Sequence, residues 1–531
     1  MKKKALYLVP VIALLITACQ TNKPKSSSSK IDDEPSSSLI SSSSSSEVKP
    51  TSSSSEVSSS SLEPSSSEVS SSNEPSSSLS EEPDQIVNIE LFALNDTHGN
   101  VIDSSSGLGM SKTSTLLKTY PKNVNNAIYI SQGDMWQGQA ESGLTFGKIV
   151  NDWMNQMNFV SMTVGNHEFD WGTKYVKENA EAANFPYLGI NVYSNDTYER
   201  VDYLEPSTIV EKNGAKIGII GAIGDCYSSI SSSMVEDIYF EVGSELNTLV
   251  INEALRLRNE EECDFIIYSV HEGKDDSGYN PYNNQISSYV DLVLEGHTHL
   301  SYSYTDSKNI YHVQGSGYNG TIPYLNIDIN LTKKTSSIKE VKQIRTSDYS
   351  SLAKDPETEA LFAKYNDTIG HVNDVIGYNS TYKNSTYLKK VVASRYLYHG
   401  QQKWGGSYDI FLGGGYISCR SPGKLEEGNV TYADLYTIFP FNNDLVLCSI
   451  PGSYLKSQFI NTTNSNYYMS YSSYGNAYMN YVDNYETYYI VTDTYSSDYS
   501  PNHLTVIERY STSGYYARDM LKDYIAQGGF A

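Results

Sequence analysis

Phe159-Val160-Ser161-Met162-Thr163-Val164 runs without a break into Gly165-Asn166-His167-Glu168-Phe169-Asp170. A short apolar run that ends in glycine and then in polar side chains reads as a strand with a loop at its carboxyl end. The same layout recurs along the chain. Val87, Ile89, Leu91 and Ala93 alternate with polar residues, a strand with one face inward, and lead to Asp96-Thr97-His98. Residues 127–131 end at Gly133-Asp134, residues 264–270 at His271, and residues 291–294 at Gly296-His297-Thr298-His299. Five of the nine histidines fall in these short segments. Residues 216–223 form a further apolar strand. Helical spacing appears at Ile149, Val150, Trp153, Met154 and Met157, and again over residues 246–257. Strands alternating with helices predict an α/β fold. Polar clusters at carboxyl strand ends lie where such sheets hold their sites.

The residue types in these clusters are metal ligands. Asp96 and His98 stand two apart, and at the end of an extended segment such a pair points to one side. Carboxylate plus neutral imidazole suits zinc, manganese or iron. Asp134, on a glycine-led turn, can bridge two ions with its two oxygens, and Asn166 offers an amide oxygen. His271, His297 and His299 complete a set of seven, enough for two four-coordinate divalent ions when one ligand bridges. Two ions about 3.5–4 Å apart clamp a phosphoryl group and acidify a water for in-line attack on phosphorus. His167 is left over, to hold phosphoryl oxygens or protonate the leaving oxygen, and Asp170 would orient its ring. A lone Asp-X-His is more often structural and a lone Gly-Asp is a turn. Gly-Asn-His-Glu and Gly-His-Thr-His at strand ends, in this order, are far rarer. The set implies a hydrolase that cleaves phosphate esters with bound metals.

The formal charge of −24 over 531 residues argues against general nucleic-acid binding. An anionic ester is still accommodated: two dications against two carboxylates leave the site positive, and acidic groups beyond about 8 Å are screened. Lys2, Lys3 and Lys4 precede an apolar run, residues 5–18, too short to span a bilayer as a mature helix. It ends Ile16-Thr17-Ala18-Cys19 and resembles a bacterial lipoprotein signal, which implies lipidation of Cys19, with an ordinary secretory signal as the alternative. Residues 19–85 are mostly serine and read as a disordered tether. No later stretch is apolar enough to cross a membrane, so the expected location is the outer face of the cell membrane, held by lipid. Cys226, Cys263, Cys419 and Cys448 show no metal or redox spacing. Buried thiols are the favoured reading, with a Cys419–Cys448 disulfide as the alternative.

From about Val87 to Ala531 the chain resembles the bacterial 5′-nucleotidase / UDP-sugar hydrolase family of calcineurin-like metallophosphoesterases. Carrying the resemblance are Leu94-Asn95-Asp96-Thr97-His98-Gly99, Gln132-Gly133-Asp134, residues 165–170, Val270-His271-Glu272-Gly273 and residues 296–299. It implies a helix-flanked β-sandwich, residues 86–347, a helical connector, 348–377, and a smaller α+β substrate domain, 378–531. It also implies one metal site of Asp96, His98, Asp134 and His299, a second of Asp134, Asn166, His271 and His297, and a catalytic dyad of His167 and Asp170. In the C-terminal part Gly413-Gly414-Gly415 matches the family's glycine turn and Phe439-Pro440-Phe441-Asn442-Asn443 its Pro-Phe-X-Asn segment. Phe441 would then stack on a nucleobase beside Asn443, with Tyr495 as second ring and Asp498 on ribose. The chain departs from the family's Asn-Gly-Gly-Gly-Ile-Arg: Leu412 replaces the Asn and Ile417 the Arg. Arg420 or Arg395 would supply the cation. The tyrosines of residues 467–499 read as a wet surface of short β elements. The expected activity is hydrolysis of nucleoside 5′-monophosphates with two divalent ions, zinc, manganese or similar. A 2′,3′-cyclic phosphodiesterase, nucleotide-sugar hydrolase or other phosphomonoesterase keeps the chemistry and changes the substrate. A surface binding protein on an inactive scaffold is the remote alternative. No protein partner is implied.

Overall fold

The structure, a computed structural model, describes residues 83–274, 285–420, 422–499, 503–510 and 515–531. The leader, Cys19 and all but the end of the serine-rich stretch lie outside these residues.

Two six-stranded sheets face each other. The first runs, in spatial order, Thr335–Arg345, Thr321–Asn330, Ile86–Leu94, Ala127–Ser131, Ser161–Thr163 and Tyr187–Leu188. The second runs Tyr302–Thr305, Tyr311–Gln314, Leu292–Leu294, Phe265–His271, Ala215–Ile223 and Ser207–Lys212. Ile89, Leu91, Ile128 and Ile130 from the first meet Ile217, Ile219, Phe265, Ile267 and Leu294 from the second in a dry core. Helices cover the outer faces. Met110–Thr119 and Lys148–Gln156 bring Leu117, Ile149, Trp153 and Met154 onto Phe92, Leu94 and Met162. Gly243–Asn259 brings Leu246, Val250 and Leu257 onto Ile220, Ile266 and Tyr268.

Ile86–Leu94 therefore differs from the expectation of one inward face. Both of its faces are covered, one by the opposite sheet and one by helices. Its polar-looking Glu90 is buried too, and is satisfied there by the amides of Lys122 and Asn123 and the Tyr324 hydroxyl. Ile86–Leu94, Ala127–Ser131 and Ser161–Thr163 are mutually parallel, as are Phe265–His271 and Leu292–Leu294, so each sheet gathers its carboxyl ends on one edge. The sheets are pinned to each other just behind that edge by Thr163 and Ser269, whose hydroxyls lie 2.7 Å apart.

After the sandwich, Pro356–Phe362 and Asn366–Ile369 are helical, and Val375–Asn379 then pairs with Gly428–Thr431. The C-terminal part is a five-stranded sheet in the order Tyr467–Tyr471, Ile410–Tyr416, Thr487–Asp493, Leu445–Pro451 and Thr505–Tyr510. Helices Ser385–Trp404 and Ala517–Ala526 pack on one face of it through Leu388, Val392, Leu521 and Ile525. The glycines read as a turn lie inside Ile410–Tyr416. A Cβ on Gly413 would sit 2.2 Å from the Leu397 amide nitrogen, so they let a helix approach the sheet closely. Leu412, in place of the family's Asn, is buried in the core on the other face. The tyrosine-dense stretch is mixed: strand Tyr467–Tyr471, helix Ser473–Tyr478, then strand Thr487–Asp493 with Tyr488 buried, while Tyr481 and Tyr485 are exposed. Cys226, Cys263, Cys419 and Cys448 are free thiols; Cys419 alone of these is not fully buried. Among the described residues no helix is long and apolar enough to cross a membrane.

Candidate metal centre

Five strand ends deliver the seven predicted ligands to one place. Asp96 and His98 follow Ile86–Leu94, Asp134 follows Ala127–Ser131, and Asn166 follows Ser161–Thr163. His271 closes Phe265–His271, and His297 and His299 follow Leu292–Leu294. Donor atoms of Asp96, His98 and His299 lie within 4.8 Å of one another, and so do those of Asp96, Asp134 and His271. Donor atoms of His271 and His297 also lie within 4.8 Å of each other, in a group that includes the Cys226 thiol, and Asn166 Oδ1 is 3.0 Å from His297 Nδ1.

The pairs two apart do not converge by strand geometry as expected. Asp96, His98, Asp134, His297 and His299 all have positive φ, between 48° and 74°. Left-handed backbone is uncommon for any residue but glycine. The loops, curled tightly after each strand, aim the side chains inward.

Neighbours fix the ring orientations. The backbone carbonyl of Gln137 lies 2.9 Å from His98 Nδ1, and that of Gln132 lies 2.6 Å from His271 Nδ1. Carbonyls only accept, so both Nδ1 atoms carry hydrogen, and it is Nε2 of each ring that presents a lone pair once the ring is neutral, as a bound cation requires. His98 Nε2 faces His299 Nε2 at 2.9 Å. His271 Nε2 is wholly buried, lies 3.1 Å from Asp134 Oδ2 and is not aligned with it as a hydrogen bond. Burial works against charge on His271, yet Asp134 and Asp96 push it up to about 10. Burial, then His271, brings His297 down to about 4. Converging lone pairs and two buried carboxylates that draw positive charge onto the deepest imidazole are the donor set of a divalent cation pair, and the residues fit it.

Glu168, named in no role from sequence, underpins the loops. It is fully buried and accepts from the amides of Asp134 and Gly165 on one oxygen and of Met135 on the other, at 2.7–2.8 Å. Burial, then the Asp134 carboxylate, push its own carboxyl up to about 7. Asn95 is a second such support: its amide spans Asp96 Oδ2 and the Gly315 carbonyl.

Above the cluster, His167 Nδ1 lies 2.7 Å from Asp170 Oδ2, and its backbone amide donates to Asp134 Oδ1 at 2.8 Å. Its Nε2 accepts from Nη2 of Arg420. A cavity of about 320 Å³ opens here between the sandwich and the C-terminal sheet. Asn166, His167, Asp170 and His297 line it from one side, Arg420, Phe441, Asn443 and Tyr495 from the other. Phe441 lies 5.9 Å from the His167 ring and 5.3 Å from the Arg420 guanidinium carbon. Two expected substrate contacts are placed elsewhere. Arg395 does not line the cavity; its guanidinium stacks over Tyr398 at 4.1 Å and Tyr524 at 5.3 Å. Both Asp498 oxygens are engaged, one by Ser231 at 2.6 Å and one by Arg509 at 2.8 Å. Ser231, Tyr416 and Asp493 also line the cavity and had no sequence signal beyond position.

A metal-ligand edge on a two-sheet sandwich, with a second domain closing over it, defines a two-domain metallophosphoesterase. Residues 90–301 match the calcineurin-like phosphoesterase family and residues 369–498 the 5′-nucleotidase C-terminal domain, together well over half of the chain. The chain belongs to the calcineurin-like phosphoesterases that carry a 5′-nucleotidase C-terminal domain, and it is a metal-dependent phosphoester hydrolase. It is similar to Protein UshA of Yersinia enterocolitica, 24% identical over 436 residues, which is 71% of this chain and 77% of that one. It is 28% identical to a 5′-nucleotidase of Vibrio cholerae over 232 residues, 41% of each chain. Among solved structures, a 5′-nucleotidase precursor of Thermus thermophilus superposes with a TM-score of 0.64 at 16% identity, covering 83% of this chain and 96% of that one.

Proposed function

We propose that the protein is a 5′-nucleotidase that acts outside the cytoplasm on nucleoside 5′-monophosphates. One observation carries the reading: the metal-ligand cluster and the aromatic residues Phe441 and Tyr495 open onto the same cavity. Phosphate and base of one small ligand can therefore be held together.

When bound, a divalent cation pair supplies Lewis-acid polarisation of the ester and acidifies a water. Asp96, His98, Asp134, Asn166, His271, His297 and His299 would hold it. His167 Nε2 is directed at the cavity because Asp170 holds Nδ1; in its protonated form, released from Arg420, the ring would donate to a phosphoryl oxygen or return a proton to the departing 5′-oxygen. Arg420, which meets His167 there, neutralises phosphoryl charge. Phe441 and Tyr495 offer faces for a base, and Asn443 a hydrogen-bonding edge. Lipid attachment through Cys19 and a serine tether are part of the same reading and would keep the enzyme at the cell surface.

The test is a manganese-supplemented panel of AMP, UDP-glucose, a 2′,3′-cyclic nucleotide and a generic phosphomonoester. AMP is expected to give the highest kcat/KM. AMP turned over no better than the generic ester would overturn nucleotidase specificity and leave only the phosphoesterase.

A further inference from the structure

Arg518 is the first-turn cation of helix Ala517–Ala526 and is buried. Its donors go to one short loop and one hydroxyl rather than straight to a carboxylate. Nη1 donates to the backbone carbonyls of Phe439, Pro440 and Phe441 at 3.4, 3.1 and 2.8 Å. Nη2 donates to the side-chain oxygen of Asn442. Nε donates to the Tyr432 hydroxyl at 3.1 Å, and that hydroxyl donates to Asp519 at 2.8 Å. The guanidinium is itself held between rings, 4.1 Å from Tyr436 and 4.8 Å from Tyr516.

Every residue from Phe439 to Asn442 is thus tied to one side chain. The loop joins helix Tyr432–Ile438 to strand Leu445–Pro451 and carries Phe441 into the cavity. A loop without regular structure leaves its carbonyls unpaired, and buried carbonyls are costly unless something donates to them. A planar five-donor fork can serve several at once; a lysine ammonium, a point charge, cannot reproduce the geometry. Stacking on a base needs a ring held at a fixed height and tilt, and the fork holds the backbone on either side of that ring.

We propose that Arg518 is a positioning residue that fixes Phe441 and so sets the preference for phosphate esters bearing a nucleobase over base-free ones. The inference rests on the reading of Phe441 as the stacking ring, and the experiment separates the two. The manganese-loaded full chain is assayed on AMP and on ribose 5-phosphate, which lacks the base, as wild type, Arg518→Lys, Phe441→Leu and the double variant. Arg518→Lys is expected to raise KM for AMP about tenfold. Its kcat, and both constants for ribose 5-phosphate, stay within about twofold of wild type. In the Phe441→Leu background the lysine adds nothing further. Arg518→Gln, which keeps a planar donor, is the second variant should the lysine protein fail to accumulate. An equal loss on both substrates, or Phe441→Leu weakening AMP while Arg518→Lys leaves it untouched, overturns the positioning role alone. A wild type indifferent to the base, or a Phe441→Leu protein that keeps full AMP preference, overturns the stacking reading and the inference with it.

Discussion

Both Glu168 oxygens are taken by the loops, and three loop amides depend on them. Its neighbour His167 depends in the same way on Asp170, one helical turn later, for its ring orientation. Residues that touch nothing reactive hold those that do, because a carboxylate is the strongest acceptor available to a buried N–H. At this scale the dyad makes a sharp prediction. His167→Ala should lower kcat on AMP by about 10²–10⁴-fold. Asp170→Asn, which leaves the ring but loosens its orientation, should cost about 10–100-fold. Both proteins should keep the wild-type circular dichroism spectrum and metal content, measured by atomic emission. Near wild-type turnover in both would place the proton chemistry elsewhere.

At the scale of elements, strand and loop divide the work. The strands supply register and parallel direction, so their carboxyl ends share an edge. The loops then turn through left-handed backbone at Asp96, His98, Asp134, His297 and His299. Space in those loops is tight. A Cβ added to Gly165 would lie 2.3 Å from Asp134 Oδ1 and 2.7 Å from the Asp134 amide nitrogen. Its φ of −102° is open to any residue, so the requirement for glycine is steric. Gly165→Ala should displace the Asp134 carboxylate and weaken manganese binding by about 10–100-fold, read by titration calorimetry on the chelated protein. An alanine protein that binds manganese like wild type would mean that the Asp134 oxygen is not a ligand in this arrangement.

At the scale of the molecule, the cluster lies where two sheets and the C-terminal part meet. Two buried carboxylates and four imidazoles are brought together there, and folding holds them without relief unless cations arrive. Binding of each cation to the folded state alone should therefore raise stability by about 2.7 kcal/mol at a hundredfold excess over its Kd. That corresponds to roughly 5–10 °C in melting temperature for a domain of this size. A chelator should lower the calorimetric Tm by that order and abolish turnover, and added manganese should restore both. Loss of turnover with an unmoved Tm would point to inhibition by the chelator.

The sequence by itself determined the ligand types, their order and their placement after apolar strands, because period-two and period-3.6 patterning and glycine-led turns are local properties. It therefore carried the strand–helix alternation and the seven candidate donors and candidate dyad at strand ends, while the sandwich was implied by the family resemblance. It could not carry the burial of Ile86–Leu94 on both faces, since a helix arriving from residues 110–119 or 148–156 leaves no mark on the strand it covers. Nor could it tell Arg420, which reaches His167, from Arg395, which stacks on Tyr398 and Tyr524. The same holds for Asp498, whose oxygens are taken by Ser231 and Arg509, and for Arg518 beneath Phe441. Those roles belong to residues far apart in the chain, and only close packing of the folded molecule decides which side chain finds which partner.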